Sequence, residues 1–228
     1  MPEEFVIRPI AHIQSDFPEK FGVPRQAGIV PELTARVIFE PEYRVTEAFR
    51  GIEGYSHLWL IWQFSRNVDA PWSPTVRPPR LGGNVRMGVF ATRSPFRPNS
   101  LGLSCVRLVS FDWDAKLGPV LTVAGADLMD GTPIFDVKPY APYADAHPEA
   151  LSGFAPDAGR QLRVIIPPEP EALIPADKRA ALKGVLANDP RPRYQHDPVR
   201  VYALSFAGLN VKFTVDGEEL TVRAIERG

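Results

Sequence analysis

Apolar positions in this chain come in short runs separated by proline and glycine, and most of the runs read as strands. Ser56-His57-Leu58-Trp59-Leu60-Ile61-Trp62-Gln63-Phe64 is almost unbroken apolar, as expected of a central strand. Further strands are predicted over 5–14, where Pro9 favours an edge or bulge, and over 35–40, 89–92, 101 to about 111, 120–125 and 134–137. Thr46 can cap a brief helix over 47–50 that stops at Gly51 or Gly54. Short strands at close spacing, with Pro/Gly turns and little helix, argue a β-barrel or sandwich. The pattern changes at 146–160, which reads as a linker. Beyond it come a strand over 162–166 and a helix over 176–187, which Asn188-Asp189-Pro190 ends. Strands over 199–206, 209–215 and 219–225 follow, the last two joined by the hairpin signal Asp216-Gly217. The expectation is mainly β: a domain over 1–150 and a small α+β domain over 161–228.

One stretch stands out, Gly88 to Ser104. Between its two predicted strands lie Arg93, Ser94, Pro95, Arg97, Pro98, Asn99 and Ser100. Each proline fixes φ and biases its predecessor towards extended geometry, so the arginine forks are held in nearly fixed directions. Charge sharpens this reading. From 70 to 111 there is no Asp, Glu or Lys, yet there are six arginines: Arg77, Arg80, Arg86, Arg93, Arg97 and Arg107. In a chain whose formal charge is only −1, such an island fits an anionic partner, with nucleic acid the natural candidate. The plainer alternative is a structural turn whose arginines pair with surface acids.

Composition narrows the classes. At 228 residues, 44% hydrophobic and 23% charged, the chain is an ordinary globular protein. No apolar run approaches the roughly 20 residues a membrane helix needs, and the start Met1-Pro2-Glu3-Glu4-Phe5 lacks a secretory leader. A cytoplasmic protein with no membrane partner is expected. Cys105 stands alone and reads as packing. His12, His57, His147 and His196 show no paired metal spacing, so no metal is expected, and His57 reads as a core histidine. Neither a dinucleotide fingerprint, a P-loop nor a nucleophile elbow is present.

What remains is polar constellations on stiff loops: Pro24-Arg25-Gln26, Arg93 to Asn99, and Asp127 with Asp130-Gly131-Thr132-Pro133, followed by Asp136, Lys138 and Tyr140. Acids beside amides and hydroxyls suit a small polar cofactor with an amine and a ribose, although Asp130-Gly131 equally fits an ordinary turn. These residues, with Lys20-Phe21-Gly22-Val23, Ser56-His57-Leu58-Trp59, 74–84, 86–94, Lys138-Pro139-Tyr140 and Asp189-Pro190-Arg191-Pro192 then Tyr194, resemble the TsaA-like (TrmO) family of S-adenosylmethionine-dependent tRNA methyltransferases. The motifs run in family order nearly end to end.

The resemblance implies a single-sheeted β-barrel methyltransferase domain with a small C-terminal domain, and a homodimer. The implied reaction is N6-methylation of threonylcarbamoyladenosine next to the anticodon, with the tRNA anticodon stem-loop as partner. By position it implies cofactor contacts at Pro24, Arg25, Gln26, Ser65, Arg66, Arg93, Leu103, Asp130, Gly131, Thr132 and Pro133. Ser65 stands where the best-known members carry histidine. Asp127, Asp136, Lys138 and Tyr140 are candidate proton acceptors or orienters. Arg77, Arg80, Arg86 and Arg97 are candidate RNA contacts, extended by Lys178, Arg179, Lys183, Arg191, Arg193 and Tyr194 in the tail. The rival readings are a non-catalytic RNA-binding module and a same-fold methyltransferase acting on another substrate.

Overall fold

The structure, a computed structural model, describes residues 5–157, 159–191, 195 and 197–228. In chain order the strands are β1 (Ala11–Gln14), β2 (Thr34–Phe39), β3 (His57–Gln63), β4 (Thr75–Val76), β5 (Met87–Gly88), β6 (Leu101–Asp114), β7 (Gly118–Ala124) and β8 (Pro133–Pro139). After α1 (Pro142–Asp145) come β9 (Arg163–Ile165), α2 (Pro168–Ala172), α3 (Arg179–Ala187), β10 (Tyr202–Phe206), β11 (Leu209–Asp216) and β12 (Glu219–Arg227). The first strand is shorter than the sequence pattern predicts. The predicted strand at 89–92 is instead a single 3-10 turn over Val89–Ala91, following the two-residue β5.

Six strands close a barrel in the order β1-β2-β7-β6-β3-β8. Its interior follows from the pleat: on β3, Leu58, Leu60 and Trp62 are buried while their neighbours are half-buried on the outer wall. Ala11, Ile13, Val37, Val106, Leu121, Val123 and Ile134 fill the interior with them. The filling leaves no channel. His57 faces outward beside Tyr140, with ring centroids 6.0 Å apart, which corrects its reading as a core residue.

Register fixes which connections meet. Gln63 pairs with Leu101, Trp62 with Ile134, Gln14 with Arg36 and Thr34 with Ala124. The ends of β1, β3 and β7 and the starts of β2, β6 and β8 therefore share one rim. The three connections 15–33, 64–100 and 125–132 emerge there together.

The second sheet runs β10-β11-β12-β9, with β9 parallel to β12 and the others antiparallel. Helix α3 buries Ala181, Leu182, Val185 and Leu186 against it. The same core contains Phe17, Val30 and Leu33 from the β1–β2 connection. Phe17 meets Phe206 edge-on at 5.3 Å, Asp16 pairs with Lys178 at 2.6 Å, and the Asp16 carbonyl accepts from the Ala207 amide. A connection internal to the barrel's sequence is thus a structural part of the C-terminal sheet.

Phe17→Ala is expected to cost about 3 kcal/mol or more of stability, as for other buried phenylalanines. Hydrogen exchange should register the loss first at the amides of β10–β12 in the C-terminal half. Loss of protection confined to the barrel strands would contradict this packing.

Candidate functional site

The rim brings together residues that the sequence scatters. Gln26 sits at the tip of the 15–33 connection, and its Oε1 accepts from Arg93 Nη1 of the 64–100 connection. Close approach of the third connection rests on glycine. The Gly28 amide donates to the Gly125 carbonyl at 2.8 Å, and a Cβ on Gly125 would lie 3.1 Å from the Gly28 Cα. The Asp130-Gly131 turn is pinned to β1: Ser15 N donates to Asp130 Oδ1 at 2.9 Å, and Gly131 N to the Ile13 carbonyl at 2.8 Å. Thr132 is buried and closes the turn by donating to the Met129 carbonyl.

Asp127 lies at the centre of this arrangement. Trp62 Nε1 donates to Ser104 Oγ at 2.9 Å, and Ser104 Oγ donates to Asp127 Oδ1 at 2.5 Å. Gly102 makes that relay possible. It is the cross-strand partner of Trp62, and a Cβ there would lie 2.3 Å from the indole. Burial holds the Asp127 carboxyl above the ordinary carboxylate range; the Ser104 hydroxyl, nearby amides and the Arg93 charge oppose the shift without cancelling it.

Ser65 and Arg66 follow β3 at the same rim, exposed, in a short 3-10 turn. Leu103 points outward from β6, 52% exposed, opposite Ile61. Pro24 and Arg25 belong to the same connection as Gln26, but Arg25 turns the other way. Its Nη2 donates to the Arg191 carbonyl at 3.4 Å across a cavity of about 390 Å³ between the connection and the C-terminal lobe, lined also by Asp189 and Glu218.

Other predicted residues are not brought here. Asp136 and Lys138 pair with each other at 3.1 Å on the outer wall of β8, and Tyr140 lies beyond the strand's far end against Trp59. From Pro133 to Tyr140 the chain rises about 20 Å, because each strand residue advances about 3.3 Å. That rise carries Lys138 and Tyr140 away from the turn at 130–133, and both lie outside the barrel interior into which Ser104 and Trp62 project. Arg97 is committed internally: its Nη1 donates to the carbonyls of Val89 and Thr92 at 3.3 and 2.7 Å. Arg191 is only 7% exposed and forms a two-point pair with Asp189 at 2.8 and 3.0 Å, so it braces its own turn. Arg80 holds the Asp157 carbonyl and carboxylate, Arg86 donates to Thr75 Oγ1 at 2.6 Å, and Arg77 is exposed. Arg193 and Tyr194 lie outside the described residues. Ser104 and Trp62 were missed by sequence reasoning, since both read as ordinary strand residues; the signal was the glycine opposite the tryptophan.

Among the described residues, no group of three or more His, Cys, Asp or Glu could hold a metal ion, and no helix is long and apolar enough to cross a membrane. A filled antiparallel barrel with a polar rim, joined to a small α+β lobe, is the class the geometry defines. Residues 12–146 match the family model of the tRNA-methyltransferase O N-terminal domain, and residues 159–228 that of the TrmO C-terminal domain. The chain belongs to the tRNA-methyltransferase O family. It is 40% identical to the tRNA (adenine(37)-N6)-methyltransferase of Escherichia coli, over 97% of this chain and 98% of that protein. A Pseudomonas aeruginosa protein provisionally named an S-adenosylmethionine-dependent methyltransferase is 38% identical over 90% of each chain. The crystal structure of TrmO from Pseudomonas aeruginosa superposes with a TM-score of 0.80 at 30% identity, over 98% of this chain and 100% of that one.

Replacing Asp127 by Asn tests the electrostatics. A carboxyl whose folded pKa is raised costs stability once ionised, so the wild type loses stability as pH rises from the ordinary carboxylate range through the folded value. Asn keeps the acceptor for Ser104 without the charge. The variant should therefore gain melting temperature relative to wild type as pH rises above the ordinary carboxylate range of about pH 4. A difference independent of pH would refute the assignment.

Proposed function

We propose that this protein transfers a methyl group from S-adenosylmethionine to N6 of the threonylcarbamoyl-modified adenosine at position 37 of tRNA. The observation that carries this reading is the convergence of three connections on one barrel rim, where a guanidinium, an amide, two carboxylates and an apolar wall lie together. The relatives' names supply the reaction class and the methyl donor. The threonylcarbamoyl group rests on the family resemblance.

The donor set fits the cofactor. Asp130 offers acceptors suited to an amine or a ribose, Arg93 and Gln26 offer donors, and Leu101 and Leu103 supply exposed apolar surface. Ser65, Arg66, Thr132 and Pro133 complete the rim. When bound, S-adenosylmethionine supplies an electrophilic methyl on a positively charged sulfur. The leaving group needs no protonation, so the protein's work is positioning and removal of water.

The substrate N6 lies between an aromatic ring and a carbonyl, which makes its lone pair a poor nucleophile. Asp127 is assigned as the acceptor of the N6 proton, since a carboxyl held above its usual range is a stronger base when ionised. Trp62 and Ser104 orient it. Asp136, Lys138 and Tyr140 are not given that role: Asp136 and Lys138 neutralise each other, and Tyr140 lies past the far end of β8. Arg77 and Arg86 are exposed on the acid-free connection that would meet RNA phosphates, whereas Arg80 is held by Asp157. A homodimer belongs to the proposal on the family resemblance; a one-chain mass in light scattering would remove it. The place of action would be the cytoplasm, with its tRNA.

Incubation with S-adenosylmethionine and an anticodon stem-loop carrying threonylcarbamoyladenosine should add one methyl group by mass, and a stem-loop with plain adenosine should not gain it. Methylation of both RNAs alike would overturn the substrate assignment. Arg93→Ala should weaken calorimetric binding of S-adenosylhomocysteine about 10-fold or more, the worth of a hydrogen bond to a charged group. Asp127→Asn should lower kcat by about 100-fold or more and flatten the acid limb of the pH–rate profile. An unchanged acid limb would exclude Asp127 as the base.

A further inference from the structure

The 64–100 connection presents aromatic side chains to water beside its arginines: Phe90 is 74% exposed, Trp72 52% and Phe96 41%. Phe90 differs from an ordinary exposed ring in being held. Val89 before it is buried, and its amide donates to the Pro74 carbonyl at 3.0 Å. The turn closes as the Thr92 amide and hydroxyl both donate to the Val89 carbonyl, at 3.1 and 2.8 Å. Arg97 clamps the same turn through the Val89 and Thr92 carbonyls, and its guanidinium lies 5.8 Å from the Phe90 ring centroid. Three residues further on, Arg93 reaches Gln26 at the rim.

We propose that Phe90 is a stacking platform for an unpaired base of the RNA held beside the rim, with Arg97 bracing the platform. This rests on the RNA-methylating reading above. Bases splayed from a loop are commonly held on aromatic faces, and a ring fixed in advance loses little freedom on stacking. The guanidinium beside the ring fits the same role, since cations and π-faces attract. The surroundings choose the occupant. No acid lies between 70 and 111, and the arginines there suit a polyanion better than a second copy of a chain whose net charge is −1.

The test uses the full chain and an anticodon stem-loop RNA with 2-aminopurine at one loop position at a time, with wild type, Phe90→Ala, Phe90→Leu and Phe90→Trp. Wild type and Phe90→Trp should quench the probe at one position. Phe90→Ala and Phe90→Leu should lose that quench and bind about 5- to 100-fold more weakly. All four should bind S-adenosylhomocysteine alike, which also reports that they are folded. Phe90→Ala binding RNA as tightly as wild type with the same quench would overturn the platform and leave the function intact. A change in light-scattering mass with unchanged RNA affinity would assign the ring to a protein contact and overturn it too. If wild type binds no RNA even at low salt, the function reading falls and the platform with it.

Discussion

Residues 15–33 belong to the barrel by sequence and to the C-terminal core by packing, and this double attachment sets the geometry of the rim. Phe17, Val30 and Leu33 are each nearly fully buried in the C-terminal cluster. At about 1.5 to 3 kcal/mol per side chain, they contribute roughly 5 to 9 kcal/mol, comparable with the whole stability of a domain at about 5 to 15 kcal/mol. Separating the two lobes would cost about as much as unfolding one of them. The C-terminal lobe is therefore no detachable appendage, and cutting the chain near Arg160 would expose the apolar side of the connection that carries Gln26. Arg25 and Gln26 mark the division: one guanidinium reaches the C-terminal lobe, while the next side chain meets Arg93 at the barrel.

Arginine serves two purposes in this fold, and proline explains one of them. The 64–100 connection has little regular ladder, and its prolines bring no N–H groups, so carbonyls there lack the usual partners. Guanidinium groups supply donors in their place: Arg97 holds the Thr92 carbonyl within the connection, and Arg80 reaches out of it to the carbonyl of Asp157. A positively charged segment read from sequence thus overstates the number of cations available to a partner. The solvent-facing arginines, Arg77 and Arg86 among them, are the ones whose charge projects outward.

The strand order of the barrel was not legible in the sequence, yet most of its strands were, because the pleat writes itself into alternation and β3 is apolar nearly throughout. The misreading at 89–92 has a local cause. Val89, Phe90 and Ala91 have strand-like composition, but the Thr92 hydroxyl and the Arg97 fork compete for the backbone carbonyls and tighten the chain into a turn. The rim's loop residues were legible as stiff polar segments, though their meeting at one end was not, since that follows from the register between distant strands. Ser104 and Trp62 were hidden for the opposite reason: each looks like a strand residue, and the pair joins the site only because Gly102, across from Trp62, leaves room for the indole. Lys138 and Tyr140 follow the Asp130 turn closely in sequence, and an extended strand carries them away from it.

A six-stranded barrel with a filled interior leaves no cavity for a ligand inside it, so its chemistry is confined to rim and outer wall. The rim has a property the wall lacks. There, a side chain can hang partly into the apolar interior and partly among the polar connections. Asp127 occupies that boundary: burial raises its pKa, while Ser104, neighbouring amides and Arg93 keep its charged form accessible. Deeper in the barrel the carboxyl would stay protonated, and on the outer wall it would titrate as an ordinary acid. The same closure that packs the barrel thus creates a zone where a carboxyl is partly desolvated yet still met by polar groups, and the three connections meet in that zone.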